Sequence, residues 1–332
     1  MTLSNDFPRA SDWLDGAGPT HPLLELIAIH GEDAELVRSV LAQDEELISR
    51  LVAASPNRMP TVRRSYRNAA SQSQYLEVRA ELVVARKVLL AGIDFEFGQV
   101  GRAPQPDLLL ESPYPAIEVT SRRIDGIRDL HDELEEALEL EGLPCTVQLH
   151  CDEDPLGIKE QQRQDIVRQT VGRAKTAAWG RQSYVLENSW ATTSAVHLAV
   201  DLINAPPLVP GLRVTMSSGP LLTGHLLDAG REVLAILDRK AKRAQARDRP
   251  TVLLVDVARL GRAWLRHLGT WIAALEEDIP VDCPYIGLGV FVQTLGSSDI
   301  TIGLARRSSL TAEEAQAISD LAAHLGAITA AA

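Results

Sequence analysis

The sequence predicts an α/β protein built around a mixed central sheet. Two kinds of segment alternate along its 332 residues. In the first kind, apolar residues recur every three or four positions, which is typical of a helix with one buried face. The clearest example comprises Tyr75, Val78, Leu82, Ala85 and Leu89. The second kind is a short apolar run rich in β-branched residues, such as residues 251–257, and such runs indicate buried strands.

The expected elements follow from these patterns and from the breaker residues between them. Residues 1–20 are rich in Gly, Pro, Asp and Ser and are predicted to form a tail, and 22–54 are predicted to form two or three short helices. A long helix over 71–91 ends at Gly92, a residue that commonly closes helices. Three strands are expected next, at 93–97, after Pro106 and before Thr120. A helix over 125–140 and a strand over 144–150 follow them.

Later segments continue the alternation and are expected to extend the same sheet. Helices are predicted over 158–178, 222–246, 258–276 and 311–327, and strands over 183–186, 195–202, 212–216, 251–257, 285–292 and 300–304. The expected division is an N-terminal tail and helical appendage over 1–60, a core over 61–152, and an α/β extension over 153–332 that continues the same domain. Asp256 is interpreted as the polar end of its strand.

Composition narrows the classes of protein that fit. No apolar run approaches the roughly 18 residues of a membrane helix, and the acidic N-terminus does not resemble a signal peptide. Three cysteines without a paired spacing argue against a disulfide framework or a structural zinc site. A reducing cytoplasm is therefore the expected location. The net charge of −12 disfavours nucleic acid as a partner of the whole surface, but local basic segments occur at 58–67 and 239–249.

Two acids bracket neighbouring apolar runs. Asp107 opens the run Asp-Leu-Leu-Leu, and Glu118 lies inside the run Ala-Ile-Glu-Val. If the runs pair as strands, the two carboxylates converge, and such convergence favours a bound hard cation such as Mg²⁺ or Mn²⁺. The alternatives are an Asp that serves a turn after proline, and a Glu that faces water or pairs with Arg122 or Arg123.

The order of elements and the pattern Pro106-Asp107, then Glu118-Val119-Thr120, resembles the PD-(D/E)xK, or restriction-endonuclease-like, phosphodiesterases. The resemblance covers residues 70–152 and implies an α-β-β-β-α-β core with a divalent-metal-dependent nuclease activity, in restriction, repair or defence. It implies that Asp107, Glu118 and the Val119 carbonyl hold the metal, and that Glu81 on the preceding helix assists. Nucleic acid is the expected partner, DNA before RNA, with no membrane; a homodimer is left open.

One position departs from the family pattern, because Thr120 stands where the family has a catalytic lysine. A cation from elsewhere (Arg122, Lys240 or Lys242), or the metal alone, would have to replace it. The alternatives are a catalytically inactive module that binds nucleic acid or a protein partner, and an unrelated α/β enzyme with a coincidental motif. Residues expected to contact nucleic acid are Arg122, Arg123, Lys240, Lys242 and Arg243.

Overall fold

The computed structural model describes residues 3–54, 59–98, 105–121, 126–152, 158, 160–186, 196–207, 213–218, 244–257, 268–293 and 299–330. The chain divides into two compact units. The outer unit comprises Met1–Arg123 and Val233–Ala332, and the inserted unit comprises Ile124–Glu232. The ranges expected from the sequence, with boundaries at 60 and 152, differ from this division. No helix in the described residues is long and apolar enough to cross a membrane.

The outer unit contains a six-stranded sheet in the order β1-β2-β3-β8-β9-β10. Its strands are β1 (Phe95–Phe97), β2 (Leu108–Leu110), β3 (Ala116–Ser121), β8 (Thr251–Asp256), β9 (Gly287–Phe291) and β10 (Ile302–Arg306). Its described helices are α1 (Leu3–Asp6), α2 (Pro8–Leu14), α3 (Pro22–His30), α4 (Glu35–Ala54), α5 (Pro60–Arg67), α6 (Gln72–Leu90), α9 (Leu268–Asp278) and α10 (Ala312–Leu325).

The outer sheet is mixed, as the sequence predicts. Strands β1, β2 and β3 form an antiparallel meander, β8 and β9 run parallel to β3, and β10 is antiparallel to β9. The expectation that later segments extend the first sheet is confirmed for β8, β9 and β10. All six residues of β8 are buried, which agrees with its β-branched run, since a strand between two parallel neighbours is covered on both faces.

Helix α6 contacts the sheet on one side and the N-terminal helices α4 and α5 on the other. Its start is capped by the Ser71 hydroxyl, which accepts the Gln74 amide, and Gly92 follows its end with a φ of +73°. The helix contacts β3, and its apolar side chains share one core with Ile117 and Val119. Because side chains alternate along a strand, Glu118 and Thr120 lie on the opposite face of β3.

The second described contact with this same face comes from α10. Strand β9 carries glycine at 287 and 289, which lie in register with Val252 and Leu254 of β8. A Cβ added at Gly287 would overlap the side chain of Ile318 on α10. Gly287 therefore lets α10 approach the sheet closely, whereas a Cβ at Gly289 would overlap the side chain of Leu254. These close approaches explain why a buried strand contains residues with poor strand propensity.

The inserted unit has its own four-stranded sheet, in the order β5-β6-β4-β7. Its elements are α7 (Gly126–Leu140), β4 (Thr146–Cys151), α8 (Glu160–Lys175), β5 (Gly180–Leu186), β6 (Val196–Ile203) and β7 (Val214–Ser218). Val147, Leu149 and Cys151 of β4 are buried, and the residues between them are exposed. This alternation is typical of a sheet with one covered face.

The expectation that the strand at 144–150 completes the sheet containing Glu118 is wrong. Strand β4 pairs with β6 and β7, and the place beside β3 is taken by β8. The physical reason lies in burial. A strand beside β3 needs two apolar faces, and β8 supplies them, whereas the alternating pattern of β4 would place polar side chains in the interior.

The three cysteines are buried, and none forms a disulfide.

A network of buried polar side chains joins the helices of the outer unit to its sheet. Arg79 on α6 and Asp44 on α4 form an ion pair of 3.1 Å between Nε and Oδ1, and both side chains are 0% exposed. The hydroxyls of Tyr66 and Tyr75 each donate to Asp44 Oδ2 at 2.6 Å. Arg79 also donates from Nη1 to Gln293 Oε1, beyond the end of β9.

Burial and the charge of Asp44 raise the pKa of both Tyr66 and Tyr75 well above the ordinary value, so both phenols remain hydrogen-bond donors. The pKa of Arg79 is also raised: burial is the largest single effect and would lower it, but the charge and hydrogen bond of Asp44, together with Tyr75 and Tyr66, outweigh burial. The guanidinium is therefore charged in the interior, where an ion needs a partner in good geometry. Asp44 supplies the compensating charge, and the two tyrosines satisfy its second oxygen.

We expect Asp44→Asn to destabilise the outer unit strongly, because it leaves the Arg79 charge buried without compensation. The expected loss is about 3–5 kcal/mol in the free energy of unfolding, measured by urea denaturation. The matched control is Asp6→Asn, which removes the nearer of two acidic partners of the exposed Arg38, at 3.0 Å, and should cost less than about 1 kcal/mol. Similar losses in the two variants would contradict a special role for the buried pair.

His21 adds a pH-sensitive contact beside this network. Its Nδ1 accepts the Leu23 amide at 3.2 Å and caps α3, so Nε2 carries the proton donated to the Tyr66 carbonyl at 2.9 Å. Protonation of Nδ1 would abolish the cap. Burial lowers the pKa of His21, and this effect exceeds the opposing effects of the Tyr66 carbonyl and of the Asp44 and Glu25 charges.

A lowered pKa in the folded state predicts the direction of a stability change. The contribution of His21 is fully present above the unfolded value of 6.5 and is lost as the pH falls through the lower folded value. Comparison of thermal unfolding at pH 7.5 and pH 5 should therefore show a larger loss in the wild type than in His21→Asn, whose side chain can cap α3 without titrating. Equal losses would show that His21 does not titrate on unfolding.

Candidate functional site

The pairing of β2 with β3 brings Asp107 beside Glu118. Leu108 is the antiparallel partner of Ile117. Asp107, which directly precedes β2, is therefore opposite Glu118 of β3. A hydrogen bond supports this register, because the Val119 amide donates to Asp107 Oδ2 at 2.8 Å. By the alternation of side chains, Asp107 and Glu118 lie on the face of the sheet opposite α6. The convergence expected from the sequence is thus present.

The two acids differ in environment. Asp107 is half-buried, at the point where the chain enters β2. Glu118 is 0% exposed, with Leu253 of β8 as its neighbour on the other side. A buried carboxylate costs several kcal/mol of free energy unless neighbouring groups compensate its charge. The site therefore combines a half-buried acid at the start of β2 with a fully buried acid within β3.

Tyr285 is a third member of this site, and its side chain is fully buried. Burial raises the pKa of its phenol well above the ordinary value, and the negative charges of Glu118 and then Asp107 raise it further. The phenol therefore remains a neutral hydroxyl group within the electrostatic influence of both carboxylates. Nothing in the sequence near residue 285 indicates this position, because it depends on how β9 is placed beside β8.

Glu81 does not complete a cluster of three acids. It is half-buried on α6, and α6 packs on the sheet face that carries Ile117 and Val119, not Glu118. Within the described residues, no three His, Cys, Asp or Glu side chains are placed to hold one metal ion. The assisting role that the resemblance implies for Glu81 stays a prediction.

Thr120, at the position of the family's lysine, lies two residues beyond Glu118 on the same face of β3. It is half-buried and pairs in register with Val255 of β8. Its hydroxyl can hydrogen-bond a water molecule but carries no charge. The residues expected to supply a cation or to contact nucleic acid lie outside the described part of the chain: Arg122, Arg123, Lys240, Lys242 and Arg243.

A second polar cluster lies at the carboxyl ends of the parallel strands. Asp256, which was expected to be a polar strand end, is fully buried. Its Oδ2 accepts from Gln293 Nε2 at 2.6 Å and from the Ser121 hydroxyl at 3.1 Å, and its Oδ1 accepts the Gln293 amide at 3.2 Å. Gln293 in turn contacts Arg79. These partners engage both oxygens of Asp256, so this cluster joins the sheet to the helices instead of presenting a carboxylate to a ligand.

Asp107 has two properties that can be tested separately, the hydrogen bond that it accepts from the Val119 amide and its negative charge. Asp107→Ala should leave the buried Val119 amide without its acceptor and cost about 1–3 kcal/mol in the free energy of unfolding. Asp107→Asn keeps an oxygen at this position and removes one of two neighbouring negative charges, so stability should be retained or raised. Urea denaturation without divalent ions measures both. An Asn variant as unstable as the Ala variant would contradict this explanation.

Comparison of the chain with models of protein families, with curated proteins and with solved structures finds no match in any of the three. The features of this site that bear on function are the pair of carboxylates from neighbouring strands and the buried phenol of Tyr285, whose pKa both acids raise.

Proposed function

We propose that the outer unit is a divalent-metal-dependent phosphodiesterase that hydrolyses nucleic acid, with DNA preferred over RNA. The observation that carries this proposal is the convergence of Asp107 and Glu118 on one face of the sheet, across the β2–β3 pair. Two neighbouring carboxylates repel each other unless a cation or a proton lies between them. Hard oxygen donors of this kind suit Mg²⁺ or Mn²⁺.

The strand order supports the resemblance to the PD-(D/E)xK enzymes in a modified form. Helix α6 leads into the meander β1, β2, β3, and the next strand of the same sheet is β8, parallel to β3. The α-β-β-β-α-β order is thus compatible with the outer sheet if β8 takes the place expected of β4. The inserted unit then separates the third strand from the fourth in sequence.

The donor set fits a magnesium-type ion. Such ions are commonly bound by one or two carboxylates and retain several water molecules, so two acids suffice without Glu81. Asp107 and Glu118 would hold the ion, with the Val119 carbonyl as a further ligand. A bound ion would lower the pKa of a water molecule and offset charge on the phosphate. Thr120 would orient that water by a hydrogen bond, and Tyr285 would keep an uncharged donor beside the acids.

One observation favours a second candidate function. Glu118 is 0% exposed, and an ion bound to it must displace the groups that now surround it. Together with threonine at the lysine position, this favours a catalytically inactive nuclease-like module that binds nucleic acid or a protein partner. The two candidate functions share a fold. They differ in whether the acids bind a metal ion and whether the protein cleaves nucleic acid.

The first test measures metal binding and cleavage on the same variants. Calorimetry with Mn²⁺ should show binding by the wild type that is lost in Asp107→Asn and Glu118→Gln. The control Glu111→Gln, an exposed acid just beyond β2, should bind normally. Cleavage of single- and double-stranded DNA and RNA should require Mg²⁺ or Mn²⁺ and disappear with the same two variants. Equal metal binding by the wild type and Asp107→Asn would overturn the assignment.

Thr120→Lys adds a cation at the position that the resemblance assigns to catalysis. If the acids hold a metal, this variant should preserve or raise metal-dependent cleavage, while Glu118→Gln abolishes it. A wild-type protein that binds DNA or RNA but cleaves neither with Mg²⁺ or Mn²⁺ would contradict the enzymatic function and support the binding module. A double variant, Thr120→Lys with Glu118→Gln, controls for a gain in affinity that comes from the lysine charge alone.

A further inference from the structure

A long segment of this acidic protein contains no acid at all. The chain has 45 acidic and 33 basic residues other than histidine. Between Glu46 and Glu77, however, no Asp or Glu occurs, and five arginines do: Arg50, Arg58, Arg63, Arg64 and Arg67. Three of these arginines, Arg63, Arg64 and Arg67, belong to α5. The segment therefore forms a local positive region, whose field does not follow the net charge of the chain.

Helix α5, which carries Arg63, Arg64 and Arg67, is anchored in the core by its buried side chains. Val62 and Tyr66 are buried, and the Tyr66 hydroxyl donates to Asp44 in the core. Arg63 is held by Asp12, with Nη2 donating to Oδ1 at 2.8 Å. Arg64 is exposed and Arg67 is half-buried, and neither forms an ion pair with an acid in the described residues. Two guanidinium groups on α5 thus carry charge that no described acid compensates.

The beginning of α6 adds further hydrogen-bonding groups that favour anions. This helix of 19 residues starts five residues after the end of α5, and its first turn contains no acid. A helix N-terminus carries a partial positive charge that attracts anions. Exposed polar side chains lie around it at Asn68, Ser71 and Gln74. Arginine, short polar side chains and helix N-termini are the groups that contact phosphate and sugar in protein–DNA complexes.

We propose that α5 and the start of α6, residues 60–74, contact the sugar–phosphate backbone of nucleic acid. The proposal rests on the proposed function for the choice of nucleic acid among polyanions. An anionic membrane is the less favoured occupant, since membrane-binding helices also bury apolar side chains in the lipid. Among the described residues, none of the large exposed apolar side chains falls within 59–78. Contacts of this kind give affinity without sequence preference.

The experiment measures binding without cleavage. Fluorescence anisotropy with labelled 20-base single and double strands, in EDTA, gives the dissociation constant between 50 and 200 mM salt. We expect Arg64→Ala/Arg67→Ala to weaken binding several-fold and to reduce the slope of log K against log salt by about two. The control Arg168→Ala/Arg181→Ala removes two exposed arginines that pair with Asp165 and Asp201 in the inserted unit. It makes the same change in net charge and should bind as the wild type does.

Arg64→Ala alone and Arg67→Lys keep the test valid if the double variant is unstable. The exposed Arg64 can be removed without a change in packing, and should reduce the slope by about one. Arg67→Lys retains the charge and should bind nearly as the wild type does. An unchanged slope in Arg64→Ala, an equal loss in the control variant, or binding to phosphatidylserine vesicles in place of nucleic acid would overturn the proposal.

The outcomes also separate this inference from the proposed function. Wild-type protein that binds through Arg64 and Arg67 but cuts nothing would contradict the phosphodiesterase and support the contact. Wild-type protein that cuts, with unchanged binding in Arg64→Ala/Arg67→Ala, would support the phosphodiesterase and contradict the contact. Absence of any nucleic-acid binding by the wild type overturns the contact directly.

Discussion

The outer unit depends on a charge in its interior. Arg79 is fully buried on α6, and its compensation by Asp44 connects α6 to α4, while its contact with Gln293 connects α6 to the end of β9. Gln293 also bonds Asp256 and the Leu76 carbonyl. These directed contacts determine one position of the helices over the sheet, whereas apolar packing alone tolerates several. The orientation of α6 over β3 is therefore supported by polar contacts as well as by apolar packing.

That orientation has a consequence for the acids. With α6 packed on the face of Ile117 and Val119, alternation along β3 places Glu118 on the other face, in register with Asp107 and close to Tyr285. The residues that support the fold and the residues proposed to act in chemistry thus occupy opposite faces of the same strand. A change to the buried ion pair would act on stability, and Asp107→Asn would act mainly on charge.

The acidic pair and the basic helix also differ in what they require. Asp107 and Glu118 suit a small cation bound at the sheet, whereas Arg64 and Arg67 suit a polyanion at the surface. The net charge of −12 opposes the approach of nucleic acid to most of the surface, because acidic regions repel phosphate. A limited basic region with hydrogen-bonding neighbours is the arrangement that overcomes this repulsion locally.

Several features were determined by the sequence itself. The stripe from Tyr75 to Leu89 with Ser71 and Gly92 at its ends specifies α6, and the run at 251–257 specifies a strand buried on both faces, because local spacing and capping decide these elements. Which strands become neighbours was decided only by the tertiary structure. Strand β4 lies in a different sheet from the expected one, and the sequence carries no signal for Tyr285. Asp256 ends β8 as expected, but its buried partners Gln293 and Ser121 are not indicated by the sequence. Each of these features depends on contacts between residues far apart in the chain. Pairing of distant strands reflects competition among all possible neighbours for two apolar faces, and no short stretch of sequence contains that information.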